Sequence, residues 1–201
     1  MRQKELEIAL ERLKKPGSPE PSLEQYQTPA VVAAEILYIA LGNGDIDGKN
    51  VIDLGCGNGI FAIGARLLGA KRVTAVDKDT KAIELARANA KATGCDIEFI
   101  CEDVKNIQGT FHTCIQNPPF GSQTRHADLP FLKKALALAE IVYTIHNSKT
   151  DGFIEKEIGR LGGKINLRKQ YDFEIRHTFD FHKKERAYFK VTMFRVLSKK
   201  E

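Results

Sequence analysis

The sequence predicts an α/β protein built on a mostly parallel β-sheet covered by helices on both faces and finished by an antiparallel terminal hairpin. Three observations carry this. From Lys49 onward, short apolar runs alternate with stretches of helical periodicity, the pattern of parallel strands joined by crossover helices. A glycine-rich stretch, Asp53-Leu54-Gly55-Cys56-Gly57-Asn58-Gly59, separates the first strand from its helix, where open α/β sheets bind ligands. From Lys164 the alternation stops, and two extended segments follow with only a loop between them.

The elements follow in order. Residues 2–14 carry Leu6, Ile8, Leu10 and Leu13 among charges, a helical stripe that the proline-bearing stretch 16–21 ends. Thr28 followed by Pro29 fits an N-cap with proline at the first helical position, and this second helix runs to about residue 41. Strands are expected at 51–54, 72–76, 97–100, 111–116 and 141–146, with helices at 60–68, 80–93, 129–139 and 150–161. Segments 164–176 and 186–197 complete the hairpin. The 201 residues suit a single domain, with 1–48 as a helical cap and cofactor-covering segment and 49–201 as the α/β core.

Composition narrows the class. With 42% hydrophobic residues the chain has material for a core, and no apolar run is as long as a membrane span. The first residues, Met1-Arg2-Gln3-Lys4-Glu5, open a helix and do not resemble a signal peptide. Cys56, Cys95, Cys101 and Cys114 include no CxxC pair. They read as buried free thiols in a reducing compartment, which implies a cytoplasmic protein with no metal site. Of the net +5, residues 164–201 hold eleven Lys/Arg against five Asp/Glu, so the remainder sums to about −1. A basic end on a near-neutral body suits a polyanion such as nucleic acid.

The glycine stretch reads GxGxG, and bulky Ile60 and Phe61 crowd the place where a pyrophosphate would sit. Asp53 at the first strand end would repel phosphate and suit an ammonium or sulfonium. Asp77 closes the second strand, placed for two ribose hydroxyls. Asp103 follows the third strand and could accept from an adenine amino group, with Val104 packing on the ring. A nucleoside carrying positive charge satisfies all three acids, and S-adenosyl-L-methionine is such a molecule.

Asn117-Pro118-Pro119-Phe120-Gly121 follows the strand at 111–116. Two prolines fix φ and withhold two N–H groups, so nearby carbonyls can accept from a ligand. The amide oxygen of Asn117 can accept another hydrogen bond, and Phe120 offers an apolar plate. Together they describe a clamp for a planar group bearing an NH2. Asn-Pro is also an ordinary turn signal, and a core aromatic is the lesser alternative for Phe120.

These residues resemble a Rossmann-like, seven-stranded S-adenosylmethionine-dependent methyltransferase, with Asp53–Gly59 as cofactor loop, Asp77 as ribose acid and Asn117–Phe120 as the [DN]PP[YF] motif of amino-methyltransferases. Similarity over Leu23–Thr28, Ile63–Ala65, Asn117–Gly121, Phe131–Lys133 and Phe181–Lys184 points to the methyltransferase-like protein 5 family, which methylates N6 of an adenosine in small-subunit ribosomal RNA. The resemblance implies that Gln25 and Thr28 close over the cofactor, that Gly55, Gly57, Asn58, Gly59, Ile60, Asp77, Asp103 and Val104 line it, and that a small zinc-binding activator subunit is a partner. Asn117, Pro118, Pro119 and Phe120 are the expected catalytic set. His182, Lys183, Lys184 and Arg186 in the hairpin loop, with Arg125 and its neighbours Thr124 and His126 after the clamp, are the candidate RNA contacts. Guanine N2 in RNA and a glutamine amide in protein use the same kind of clamp. An inactive cofactor-binding ribosome-assembly factor is the non-enzymatic alternative. The short segment before the first strand argues against glutamine, because an enzyme acting on release factors would carry a separate substrate domain there.

Overall fold

The computed structural model describes residues 1–16, 27–120, 127–175 and 187–199. It contains one seven-stranded sheet, in the order β3-β2-β1-β4-β5-β7-β6. The five parallel strands are β1 (Asn50–Leu54), β2 (Arg72–Asp77), β3 (Glu98–Cys101), β4 (Phe111–Gln116) and β5 (Ala139–Asn147). The terminal pair, β6 (Lys164–Ile175) and β7 (Ala187–Leu197), is antiparallel, and β7 inserts between β5 and β6. The expected hairpin therefore exists, but its second strand, not its first, joins the parallel sheet.

Central strands are covered on both faces, which explains their nearly unbroken apolar runs. Alternate residues sort between the two sides. Val51, Val73, Ala75, Ile115, Tyr143 and Ile145 face the helices α1 (Gln3–Glu11), α2 (Ala30–Gly42), α3 (Ile60–Leu67) and α4 (Thr80–Thr93). Ile52, Leu54, Val76, Cys114 and Val142 face α5 (Leu129–Leu138) and α6 (Asp151–Arg160). The period of two in the sequence is thus a division between two cores.

Several boundaries differ from the sequence expectation. Pro29 stands at the N-cap of α2, which begins at Ala30, and Thr28 lies outside the helix with its hydroxyl engaged elsewhere. Helix α5 stops at Leu138 because Ala139 is already extended, and it passes straight into β5. A 3-10 turn at Ser148–Thr150 precedes α6, which is shorter than expected. The thiols are free, but only Cys56 and Cys114 are buried. Cys95 is half-buried, and Cys101 is exposed because β3 is the sheet edge.

A buried ion pair ties the turn after α2 to the far half of the sheet. Arg195 on β7 donates to Asp45 through Nε at 2.8 Å and Nη2 at 3.1 Å, and the Tyr143 hydroxyl on β5 donates to Asp45 Oδ2 at 2.5 Å. Asp45 is 3% and Arg195 7% exposed. Removing one partner would strand the other charge in the interior. Asp45→Ala is therefore expected to cost about 3–5 kcal/mol in urea unfolding, far more than a surface carboxylate would.

Candidate active site

The order β3-β2-β1-β4 places four parallel strand ends side by side, and the chain leaves each through a loop of polar or small residues. Leu54 is registered against Val76 on one side and Gln116 on the other. The glycine loop after β1 and the Asn117 loop after β4 therefore start next to one another. Asp77, Asp103 and Asn117 were separated in sequence, and the sheet gathers them along one edge.

The glycine loop is held from below by backbone and carboxylate. Gly55 and Cys56 both donate to the Val76 carbonyl, at 2.8 and 2.9 Å. Gly57 N–H donates to Asp77 Oδ2 at 2.9 Å, and Asp79 N–H to Oδ1 at 3.0 Å. Gly59 caps α3 in the left-handed region, φ 85°, and a Cβ there would lie 3.2 Å from the Ala86 Cβ. At Gly55, φ 72°, a Cβ would lie 3.0 Å from the Phe131 ring. Both positions need glycine for conformation and for space.

Asp77 is half-buried at the rim. Each of its oxygens takes one backbone N–H, and a carboxylate oxygen has capacity for a second donor, such as a ribose hydroxyl. Burial raises its pKa, against the opposing effect of the N–H groups of Asp79 and Gly57. It is not the cap of α4. That position is held by Asp79, whose carboxylate accepts from Lys81 N–H at 2.9 Å.

Asp53 lies behind the cleft and not in it, which corrects the direct contact with a cationic ligand expected from sequence. It is 1% exposed, and its Oδ2 accepts Ala62 N–H in the first turn of α3 at 3.0 Å. The helix end competes successfully for this carboxylate because its first N–H groups have no partner of their own. Oδ1 is buried without a hydrogen-bond partner among the described residues. Desolvation, only partly offset by the Ala62 N–H and reinforced by the charge of Asp77, pushes the Asp53 pKa up to about 7.

The other predicted residues fall into four groups. Asp103 caps a 3-10 turn at Val104–Asn106, accepting Lys105 N–H at 2.9 Å. Val104, 6% exposed, and Ile60, 9% exposed, lie mostly in the two cores beneath the rim. Asn58 turns its side chain away, donating to the Lys14 carbonyl at 3.3 Å, while its own carbonyl accepts from Asn89. Gln25, Gly121, Thr124, Arg125, His126, His182, Lys183, Lys184 and Arg186 lie outside the described residues.

In the Asn117 loop, Pro118 is buried, and Asn117, Pro119 and Phe120 are half-buried. Asn117 Nδ2 donates to Thr28 Oγ1 at 3.0 Å. Thr28, expected over the cofactor, thus reaches the clamp amide. The Phe120 ring meets Phe189 of β7 edge-on, with centroids 5.6 Å apart, and Phe189 meets Phe173 of β6 in the same way. Sequence reading missed these aromatic partners and gave Phe131 only as part of the family resemblance, with no role at the glycine loop. Nothing in strand periodicity distinguishes a core phenylalanine from one that braces a loop. It also missed the polar residues Thr144 and His146, two apart within an apolar strand, although that spacing was visible.

Fold and site together define a seven-stranded methyltransferase whose methyl donor is S-adenosylmethionine. The Methyltransferase small domain family matches residues 32–140. MJ0284 of Methanocaldococcus jannaschii is 40% identical over 98% of this chain and 94% of its own, and the rRNA N(6)-adenosine-methyltransferase METTL5 of Danio rerio is 31% identical over 97% and 98%. A crystal structure of a candidate RNA methyltransferase, PH1948 of Pyrococcus horikoshii, superposes with a TM-score of 0.90 at 40% identity over 98% of each chain. The chain belongs to the Methyltransferase small domain family and, within it, to the methyltransferase-like protein 5 family.

The residues present fit this cofactor. The rim carboxylate of Asp77 has acceptor capacity left, and nothing lies within 4 Å of a Cβ built on Gly57, so the loop is open on that side. Among the described residues no group of three His, Cys, Asp or Glu could hold a metal ion, and no helix is long and apolar enough to cross a membrane.

The raised pKa of Asp53 has a sign that can be checked. Below the ordinary carboxylate range the residue is protonated whether folded or not. Between about pH 4 and 7 the unfolded chain releases the proton and the folded protein keeps it, so stability falls as pH rises through that window. Over this span the loss is on the order of 3 kcal/mol, and Asp53→Asn is expected to flatten that part of the curve in urea unfolding of the cofactor-free protein.

Proposed function

We propose that this protein methylates the exocyclic amine of a nucleobase in RNA, N6 of an adenosine in small-subunit ribosomal RNA. The observation that carries the proposal is the Asn117–Phe120 loop, rooted on the strand next to the cofactor loop, with its amide hydrogen-bonded to Thr28. Relatives matching nearly the whole chain include enzymes named for rRNA N6-adenosine methylation, and this supports adenine over guanine. The net charge of +5, concentrated toward the C-terminal segment, supports a polyanionic substrate.

Bound S-adenosylmethionine supplies a methyl group on a sulfonium, the electrophile. Asp77 would hold the ribose hydroxyls, the glycine loop would lie against the rest of the cofactor, and Asp103 would meet the adenine. The remaining task is to make an aromatic amine nucleophilic, since its lone pair is delocalised into the ring. The Asn117 side-chain oxygen and the Pro118 carbonyl accept its two N–H bonds. They localise the lone pair and stabilise the positive charge that develops on nitrogen. No general base is required, because the charged product amine is acidic enough to lose its proton to water. Phe120 stacks on the base, held in place by Phe189. A paired base cannot enter such a clamp, so the target is flipped out or single-stranded.

Transfer of labelled methyl to purified small ribosomal subunits, followed by nucleoside analysis, tests the reading. The expected product is N6-methyladenosine. Label in guanine N2 or in protein would overturn it. Asn117→Ala is expected to lower methyl transfer by about 10²–10³-fold while cofactor affinity stays within a few-fold. Reversing the charges of Lys183 and Lys184 is expected to weaken RNA binding and flatten its salt dependence by about one ion per residue.

A further inference from the structure

Beneath the Asn117 loop the sheet holds a buried polar chain. Gln116 Nε2 donates to Thr144 Oγ1 at 3.0 Å, Thr144 Oγ1 lies 2.8 Å from His146 Nε2, and His146 Nδ1 lies 2.9 Å from Asp128 Oδ2. Gln116, Thr144 and His146 are 0% exposed and Asp128 7%. A hydroxyl and an imidazole can each donate and accept, so Thr144 and His146 carry an unbroken run of hydrogen bonds from Gln116 to Asp128.

Its two ends flank the clamp. Gln116 is the last residue of β4, directly before Asn117. Asp128 occupies the N-cap of α5, yet its side chain makes no capping bond to that helix and is given to His146 instead. An aspartate at that position ordinarily satisfies its own helix's N–H groups. The strands do not need the chain to pair, since the backbone ladder already registers Gln116 against Thr144. What the side chains add is the link across to Asp128, so that both flanks of the loop are fastened to Thr144 and His146 on one face of β5. The side-chain oxygen of Gln116, Oε1, is buried with no hydrogen-bond partner among the described residues.

We propose that this chain is a positioning device for methyl transfer. By tying Gln116, the residue before Asn117, to Thr144 and His146 on β5, the chain holds the Asn117 amide where it meets the substrate amine. Thr144 and His146 are positioning residues that act through Asn117, and the assignment rests on the role given to Asn117 above. Buried polar side chains are tolerated when bonded to one another, which makes the geometry of these four discrete.

The test uses the full chain carrying Thr144→Val, which keeps the shape and removes the hydroxyl, with Thr144→Ser as the restoring variant. Three quantities are read: the side-chain amide resonance of Asn117 in the cofactor-free protein, the single-turnover rate on small-subunit RNA, and the Kd for S-adenosylhomocysteine. Thr144→Val is expected to shift and broaden the Asn117 resonance and to slow transfer about 10- to 100-fold, with Kd changed by about twofold at most. Thr144→Ser is expected to restore both rate and resonance. Should Thr144→Val not fold, His146→Asn, which keeps a donor toward Asp128 and loses the bond to Thr144, is read in the same way. An unchanged Asn117 resonance, or a rate loss matched by an equal loss of cofactor affinity, overturns the proposal. If the unaltered protein transfers no methyl to RNA, the reading of its substrate fails, while the Asn117 resonance still decides the positioning role.

Discussion

The arrangement depends on the pairing of β1 between β2 and β4. Leu54 lies against Val76 on one side and Gln116 on the other, and the chain is released from all three strands at the same level. A shift of one residue in either register would turn each strand's buried set to the wrong core and would carry the loops apart. The two cores enforce it, since Val51 and Ile52 belong to opposite layers. Cofactor loop and clamp are neighbours because hydrophobic burial specifies the strand register.

The site on this frame separates holding from presenting. Asp53, Val104 and Ile60 are withdrawn beneath the surface, and Asp53 serves the N-terminus of α3 at the cost of an isolated acceptor and a raised pKa. Asp77 stays at the rim, braced by the N–H groups of Gly57 and Asp79. Thr28 arrives from the segment before α2 to fix the Asn117 amide, and Phe189 arrives from β7 to fix the Phe120 ring. Segments from both ends of the chain therefore complete a clamp whose own four residues are contiguous.

Much of this was legible in the sequence because it is local. Strand and helix periods, the glycines of the GxGxG loop, the acid closing β2 and the Asn-Pro-Pro-Phe run are each readable within a few residues. The readings that changed are those in which a distant group competed for a side chain. Thr28 had the residue type and spacing of an N-cap, but its hydroxyl is bonded to an amide 89 residues away.

The sequence by itself determined the α/β class, the antiparallel ending, and the residue types of the glycine loop and of the Asn-Pro-Pro-Phe loop. Those follow from backbone preference and residue type, which act over a turn or a strand length. Only the tertiary structure decided which strand of the hairpin joins the sheet, which carboxylate faces the cleft and which supports it, and what the Asn117 amide bonds to. Those outcomes depend on burial and on hydrogen-bond partners far apart in the chain, and a buried polar group takes the partner that folding brings within reach.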